Sequence, residues 1–470
     1  YVTVQHSVAS GTGTWTAGVN STNNNSVTTA GSGWLFTVPS CISNVTSGNW
    51  NTAGTWLCGH VPTTADDTTI RAGDTITMDV ASAVLDNILI DGTLNTSNGT
   101  SWGLSGTDLN ISSTGTLIAN ASTITLSGTT GTLFTKHASG TFTAGTSTVV
   151  LSGNGDATVN SGTVSFANLT SSGTGTKTLG GTTTVGTNLV LSAGTLALST
   201  YSFTVTGTSS ITGTLNDDSA TGTNIFTGAV TLNSGSTWSN TNNPSFNFSG
   251  GLTVNTVSTF SSGSGVYYFY NAATIGGTQA YTITNLYNYG YGVIFSTNNP
   301  TIGTLTQGTS STLKFSGTVP TITTLDAATN SNTVEYTSGS SQTIIGTTYQ
   351  GLTLSGAGTK TLGAATVVNL SLGINAGTLA LSTSDLTVTG TSSIYGTLND
   401  DSATGTNLFV GAVTLYSGST WSNTNNPAFE FRGGLTVDTV STFSSGSGVY
   451  TFSTNAQTIA GTQAYTITNL

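Results

Sequence analysis

A rhythm of very short alternating segments constrains this chain more than any other feature. "LTLS", "LALS", "FTVTG", "VTLNSG", "FNFSGG" and "LTVNT" follow one another along the chain, each a short run of period-2 apolar alternation closed by Gly, Ser or Asn. Their spacing is about 20 residues, in the range of solenoid repeats. Leu169 and Leu189 both follow an Asn, and Leu232 and Leu252 keep the same spacing. Period-2 alternation is the mark of a strand with one face turned inward. Strands this short cannot bury that face alone and have to stack on neighbours. A right-handed parallel β-solenoid (β-helix) of about 20-residue coils meets the requirement, with each coil hydrogen-bonded to the next and inward Leu, Val, Ile and Phe rising in columns. The rival is an array of β-sandwich domains. Against it, the sequence has no domain-sized period of about 100 residues, few prolines and no Cys–Trp–Cys frame.

A longer period is laid over the short one. "GSTWSNTNNP" at Gly235–Pro244 returns letter for letter at Gly418–Pro427, an offset of 183 in the numbering. The same offset relates Lys177 to Lys360, Asp217-Asp218 to Asp400-Asp401, and "GTLALST" at Gly194–Thr200 to Gly377–Thr383. It slips to 184 where "NAATIGGTQAYTITNL" from Asn271 is answered by "NAQTIAGTQAYTITNL" from Asn455. Four regions follow: residues 1–40, an N-terminal cap or exchanged segment; 41–145, a distinct leading module; 146–330, a first long repeat; and 331–470, a second, truncated one. In the repeated decamer Trp238 and Trp421 are expected to anchor a loop against the coils, with Asn-Asn-Pro making the turn. The second copy stops at Leu470, the counterpart of Leu286. The expectation is therefore a chain that continues with further repeats, or a last coil that docks end to end on another copy.

Composition narrows the class. Of 470 residues 61 are Gly and 5% are charged, against an ordinary level of about 25%. Thr, Val, Ile and the aromatics favour strands, Gly and Asn favour turns, and helix formers are scarce, so the chain reads as all-β. Six basic against 17 acidic groups give a net charge of −11. That excludes nucleic acid and anionic lipid as partners, since both need clustered cations. No apolar run of about 18 residues exists to insert in a membrane, and no signal peptide opens at Tyr1, so a mature chain or a fragment is expected. Cys41 and Cys58 are the only cysteines. A disulfide is favoured over two free thiols and points to an oxidising, extracellular setting. A metal site made with His60 lacks a fourth ligand.

The stretch "SGNWNTAGTWLCGHVPTTADDTTIRAGDTITMDVASAVLDNILIDGTL" (Ser47–Leu94) resembles the G8-like opening module of large secreted or surface bacterial β-helix proteins of the adhesin or fibre type. The matching positions are Trp50, Trp56, Pro62, Asp66, Asp67, Ile70, Gly73 and Leu94. Cys58 departs from the small or polar residue usual there, which is a further reason to pair it with Cys41. "TYQGLTLSGAGTKTLGAATVVNLSL" (Thr348–Leu372) is similar to repeats of giant bacterial surface proteins. The resemblance implies a β-helix at the cell surface and leaves activity open, because such folds host lyases, adhesins and passive stalks alike.

Candidate chemistry is thin. Asp66, Asp67, Arg71, Asp74 and Asp79 are the densest charged group; Asp66 and Asp67 are read as turn caps, with Arg71 paired to one of them. Asp217, Asp218, Asp400 and Asp401 are candidates for calcium, since adjacent carboxylates beside Asn216 or Asn399 offer hard oxygens. The flanking "ATGTN" adds no charge, and turns are favoured. His6, His60 and His137 are the only imidazoles, all outside the long repeat. No Gly-x-Ser-x-Gly stands between a strand and a helix, and no Lys follows the Ser262–Gly265 stretch to make a phosphate loop. Thr-x-Thr segments at Thr75–Thr77, Thr123–Thr125, Thr204–Thr206 and Thr282–Thr284 put two hydroxyls on one face, as an ice-binding solenoid would, but do not recur in every coil. Tyr267, Tyr268, Phe269, Tyr270, Tyr281, Tyr287, Tyr289 and Tyr291 crowd one stretch and suggest a sugar-binding patch, a packed bulge or a contact between protomers. Where Asn247 and Ser249 become Glu430 and Arg432, alternation predicts Phe429 and Phe431 inward and the charges outward.

Together these readings predict a non-enzymatic extracellular or cell-surface fibre or adhesin stalk without cofactors, whose partners are other copies of itself and surface glycans. A glycan-binding or polysaccharide-active β-helix and an ice-binding solenoid are the alternatives. The structural anchors are Trp50, Trp56, Trp238 and Trp421.

Overall fold

The computed structural model describes residues 40–470 apart from 218, 220, 241, 257, 297–299, 401, 403, 440, 455 and 456. Of residues 1–39 it describes only the backbone of Thr3–Val4, Trp15–Ala17, Thr22–Asn23 and Trp34–Phe36, all short strands. Most of the expected N-terminal cap, with His6, thus lies outside the described residues. So do Asp218 and Asp401.

Among the described residues the chain is an all-β parallel β-solenoid of about 18 turns, about 21 residues apart. The one helical element among the described residues is a single 3-10 turn at Ala53–Thr55. The coil is slightly longer than the sequence rhythm suggests. By compactness the chain divides into two units, Tyr1–Ile225 and Phe226–Leu470. Pairing runs unbroken through the sequence landmarks at 145/146 and 330/331. Thr123–Leu126 pairs with Thr148–Leu151 across the former, and Thr312–Phe315 with Thr333–Tyr336 across the latter.

A coil of the second unit shows how the sequence builds the fold. Leu386–Val388, Thr391–Ile394 and Thr397–Asp400 are three strands separated by tight turns. One coil on, they pair with Thr406–Phe409, Val413–Leu415 and Thr420–Asn423, in registers such as Val388↔Phe409, Ile394↔Leu415 and Leu398↔Trp421. Alternate residues of each strand are buried, so every column of inward side chains runs parallel to the stack. Burying a Leu or Phe in such a column contributes roughly 1.5–3 kcal/mol. Aromatic columns add ring contacts: Phe409 stacks on Phe431 (5.5 Å, 13°), and Phe431 on Phe452 (5.3 Å, 17°). In the first unit the same logic stacks Gly48, Ile76, Leu94, Leu117 and Phe142 along a five-stranded sheet.

Phe429 and Phe431 are buried while Glu430 and Arg432 face outward and pair, Nε to Oε1, at 2.7 Å. The Arg432 hydrogen bond, helped by one from Ser453, lowers the Glu430 carboxyl below its ordinary pKa. Backbones of adjacent coils come so close at some turns that no side chain fits. A Cβ on Gly207 would stand 1.6 Å from the Thr187 carbonyl oxygen, and one on Gly390, its counterpart in the second copy, 1.8 Å from that of Leu370.

A pair of lysines stands among the polar residues that interrupt the apolar core. Lys177 and Lys360, fully buried, occupy inward positions beside Leu196 and Leu379 of the next coil. Each ammonium is met by turn carbonyls: Lys177 Nζ donates to Gly155 (2.6 Å), and Lys360 Nζ to Ser338 (2.7 Å), Ser340 (3.1 Å) and Gly358 (3.2 Å). Burial lowers both ammonium pKa values. The stacked turns supply the acceptors that a buried cation needs.

Candidate functional site

The leading module gathers the most charged side chains, and its chain path explains how. Cys41 and Cys58 are joined by a disulfide, with Cα atoms 5.0 Å apart. His60 lies beside it and reaches the Cys58 carbonyl through Nδ1 and Asp66 Oδ2 through Nε2, each at 3.1 Å. With both sulfurs bonded to each other, the Cys41, Cys58 and His60 cluster holds no thiolate to ligate a metal. Asp66 is buried and caps its own turn, accepting from the Thr63 backbone N–H and hydroxyl, both at 2.7 Å. Asp67 instead accepts from Asn87 one coil on, at 2.7 Å.

Arg71 does not pair with Asp66 or Asp67, as the sequence suggested. It pairs with Asp74 at 3.5 Å. The reason is local: Asp66 and Asp67 are already engaged, whereas Asp74 faces Arg71 across the turn before Thr75–Thr77 and also accepts from Ser43 at 2.6 Å. Asp79 accepts from the Asn51 N–H at 2.8 Å. These five residues do not converge on a common point; the four carboxylates tie turns or neighbouring coils together. Trp50 and Trp56 meet edge to face at 5.0 Å, and Trp56 Nε1 donates to the Trp50 carbonyl.

In the long repeats, Asp217 and Asp400 are buried and are met by N–H donors. Asn224 Nδ2 reaches Asp217 at 2.5 Å and Asn407 Nδ2 reaches Asp400 at 2.6 Å; the N–H groups of Ser219 and Ser402 add a bond each, at 3.1 Å. A hard cation needs oxygens, so this donor setting fits a held carboxylate better than a calcium ligand. Trp238 and Trp421 lie in the core, on strands that lead directly into the Asn-Asn-Pro loop. Their Nε1 groups donate to the Tyr267 and Tyr450 hydroxyls at 2.9 and 3.0 Å. The same hydroxyls accept from Asn240 and Asn423, which also hold the Asn-Asn-Pro loop. Asn240 and Asn423 donate to the carbonyls of Pro244 and Pro427, both at 3.1 Å, while Asn243 and Asn426 take positive φ (63° and 64°) in the turn itself.

The outer faces carry three features. Asp67, Asp86 and Asp108 come from successive coils, and the Asp108 carboxyl is raised by partial burial first and then by its two like-charged neighbours. Their sequence spacing, close to one coil, was the available signal. A threonine column, Thr359, Thr378, Thr397, Thr420 and Thr442, runs in register over five coils of the second unit. The column two residues on is Thr361, Ala380, Asn399, Ser422 and Ser444, so the two-hydroxyl face of an ice binder is not repeated.

The third feature is aromatic. Tyr267 and Phe269 point inward, which sends Tyr268 and Tyr270 outward, and register Tyr268↔Tyr287 brings Tyr287 and Tyr289 beside them. The four rings form a two-by-two array. Centroids are 5.6 Å apart for Tyr268–Tyr287, 5.4 Å for Tyr270–Tyr289, 5.7 Å for Tyr287–Tyr289 and 6.5 Å for Tyr268–Tyr270. Partial burial, with Tyr268 and Tyr289 close by, holds the Tyr270 phenol above its ordinary pKa.

Comparison with known proteins adds one finding. The family model described as the G8 domain matches residues 55–183, so the stretch with Cys58, His60 and the acidic turns is similar to that domain, while Cys41 precedes the match. The match also runs beyond residue 145, where the leading module was expected to end. No curated protein and no solved structure matched the chain. No helix among the described residues is long and apolar enough to cross a membrane.

Proposed function

We propose that this chain is a non-enzymatic extracellular β-solenoid, a structural stalk or adhesin segment that presents a long, regular surface outside the cell. The observation that carries the reading is the employment of its polar side chains. The carboxylates of Asp66, Asp74, Asp217 and Asp400, and the ammonium groups of Lys177 and Lys360, are buried and spent on turns and neighbouring coils. Groups held this way stiffen a stack and are not poised to exchange protons with a substrate. Duplication of such coils adds reach, which serves a stalk more than an enzyme. The disulfide suits an oxidising compartment, and the G8 match at residues 55–183 agrees with an extracellular setting. The proposed partners are other copies, because each coil already pairs backbone to backbone with others of its kind, and glycans of a facing surface.

The test is immunolabelling of intact producer cells with antibodies raised against the purified chain, beside an assay for release of reducing ends from polysaccharides. Labelling without permeabilisation and no release of reducing ends are expected. Labelling confined to permeabilised cells would end the extracellular reading, and catalytic release would end the non-enzymatic one.

A further inference from the structure

Exposed aromatic rings are costly to keep clustered on a solvated face, so a group of them asks for an occupant. Tyr289 is 58% exposed and Tyr291, two positions on, is 74% exposed, while Tyr268, Tyr270 and Tyr287 are half-buried with ring faces supported by one another. The core does not require them. At the matching positions of the second copy Thr451 and Ser453 stand where the first has Tyr268 and Tyr270. Both are exposed, on or just past a strand whose inward Tyr450 is buried as Tyr267 is. The rings therefore sit on a coil that folds without them.

The electrostatic surroundings select the kind of occupant. From Ser219 to Leu313 the sequence contains no Asp, Glu, Lys, Arg or His. Along the array the register neighbours are Asn247 beside Tyr268 and Thr306 beside Tyr287, both neutral hydrogen-bonding groups. Lys314 of the next coil, whose side chain reaches Gly292, is already paired with Glu335 at 3.1 Å, so an anionic or cationic partner finds no unpaired charge on that side. The apolar C–H face of a pyranose packs on an aromatic ring, and its rim hydroxyls bond to amides and hydroxyls. Ring centroids 5.4 and 5.6 Å apart across coils match the advance of one sugar in an extended chain. Neighbouring ring planes are inclined by 42° and 43° across coils, so the array is fluted. A flat crystalline surface cannot seat on it, and a single chain can.

We propose that Tyr268, Tyr270, Tyr287 and Tyr289 form a binding platform for a single chain of an uncharged polysaccharide. The inference rests on the adhesive reading above and names the chemistry of its contact.

The experiment is affinity electrophoresis of the whole chain through native gels, each containing one of mixed-linkage β-glucan, xyloglucan, mannan or dextran, or anionic alginate or polygalacturonate. Retardation by at least one neutral polymer is expected. The double variant Tyr268→Thr, Tyr270→Ser carries the residues that the chain's own second copy tolerates, and is expected to bind at least about tenfold more weakly, the factor that about 1.4 kcal/mol of lost contact produces. Tyr289→Ser, at an exposed ring, provides a second variant with the same expected direction. Retardation by no neutral polymer, by the anionic ones alone, or equally for wild type and both variants would overturn the proposal. So would a wild-type dimer abolished by the double variant without any polysaccharide binding, which would make the array an interface between copies. Binding accompanied by release of reducing ends would support the platform and defeat the non-enzymatic reading. Absence of binding would remove the platform and leave the stalk reading to its own test.

Discussion

Tyr336 and Tyr349 face each other inside one coil, with hydroxyls 3.3 Å apart; the Tyr336 hydroxyl accepts from the Ile345 N–H, and the Tyr349 hydroxyl donates to the Ile345 carbonyl. Burial pushes the Tyr336 phenol up to about 12, and burial together with Tyr336 pushes Tyr349 well above its ordinary value. A raised phenol keeps its proton in the folded chain after the unfolded chain has lost its own, at about pH 10. The unfolded state then binds fewer protons, so the stabilisation is whole below about pH 10 and falls as pH rises towards about 12, by about 1.4 kcal/mol per unit for each such group. The buried lysines act in the opposite sense. Their lowered pKa means the unfolded state holds more protons, and stability gains with pH until about 10.5. Comparing wild type with Tyr336→Phe cancels the lysine contribution. Denaturant unfolding from about pH 9 to about pH 11.5, a range that spans the unfolded phenol's titration, should show the wild type falling more steeply than the variant; parallel curves would refute the assignment. Inward placement of Tyr336 was legible from alternation in "TVEY". Its pairing with Tyr349 was not, because the two stand on different strands of one coil, at a spacing that no period announces. Lys177 and Lys360 were equally hidden, since only the stacked turn carbonyls make an inward ammonium tolerable.

Strands of three or four residues are held by what lies at their ends, and the first coil of the G8-like stretch shows the means. Among the described residues Ser47–Asn49 ends its five-stranded sheet and pairs there with Thr75–Thr77, so its position depends on the segment looping from Cys41 to Cys58. Closing that loop, a separation of 17 residues, contributes about 3 kcal/mol by the chain-entropy estimate. Hydrogen exchange of peptides from residues 41–96 should therefore show opening free energies lowered by about that amount in the Cys41→Ser, Cys58→Ser variant. Peptides from residues 378–423 should be unchanged. Equal loss of protection in both regions, or none in the first, would contradict it. Element type and inward face were readable from the sequence throughout, as Phe429 and Phe431 against Glu430 and Arg432 show. Turn chemistry was less so. Arg71 went to Asp74 because both acids it was expected to meet had nearer donors, Thr63 for Asp66 and Asn87 for Asp67, and Asn87 belongs to a coil whose register the sequence does not state.

At the scale of the whole chain, stability in a stack of coils is close to a sum of terms within coils and between neighbours. The short rhythm made that architecture legible; the individual registers were not, because coils vary in length while the ladder still closes. The step from Tyr268 to its partner Tyr287 is shorter than the step from Thr312 to its partner Thr333. An average period therefore places a residue on its strand without naming its neighbour: the crowding of Tyr268, Tyr270, Tyr287 and Tyr289 was visible in the sequence, and their pairing across coils was not. The same architecture predicts which deletions the chain tolerates. Thr312–Asn332 is one full coil, since Thr312 and Thr333 are register partners. Removing it joins Ser311 to Thr333 and lets Thr333–Tyr336 take the place of Thr312–Phe315 against Tyr291–Phe295, with Val334 for Leu313 and Tyr336 for Phe315 in the inward columns. The lost ion pair, Lys314 with Glu335 at 3.1 Å, is partly exposed and worth at most about 1 kcal/mol. Removing only Thr312–Ile322 instead ends mid-coil, turns inward residues outward downstream and strands the edge of each adjoining sheet. Full-coil deletion is expected to keep the strand spectrum in circular dichroism and a melting temperature within a few degrees of wild type, and part-coil deletion to lose both. If the two deletions melted alike, neighbour-by-neighbour stacking would not be what holds this region together.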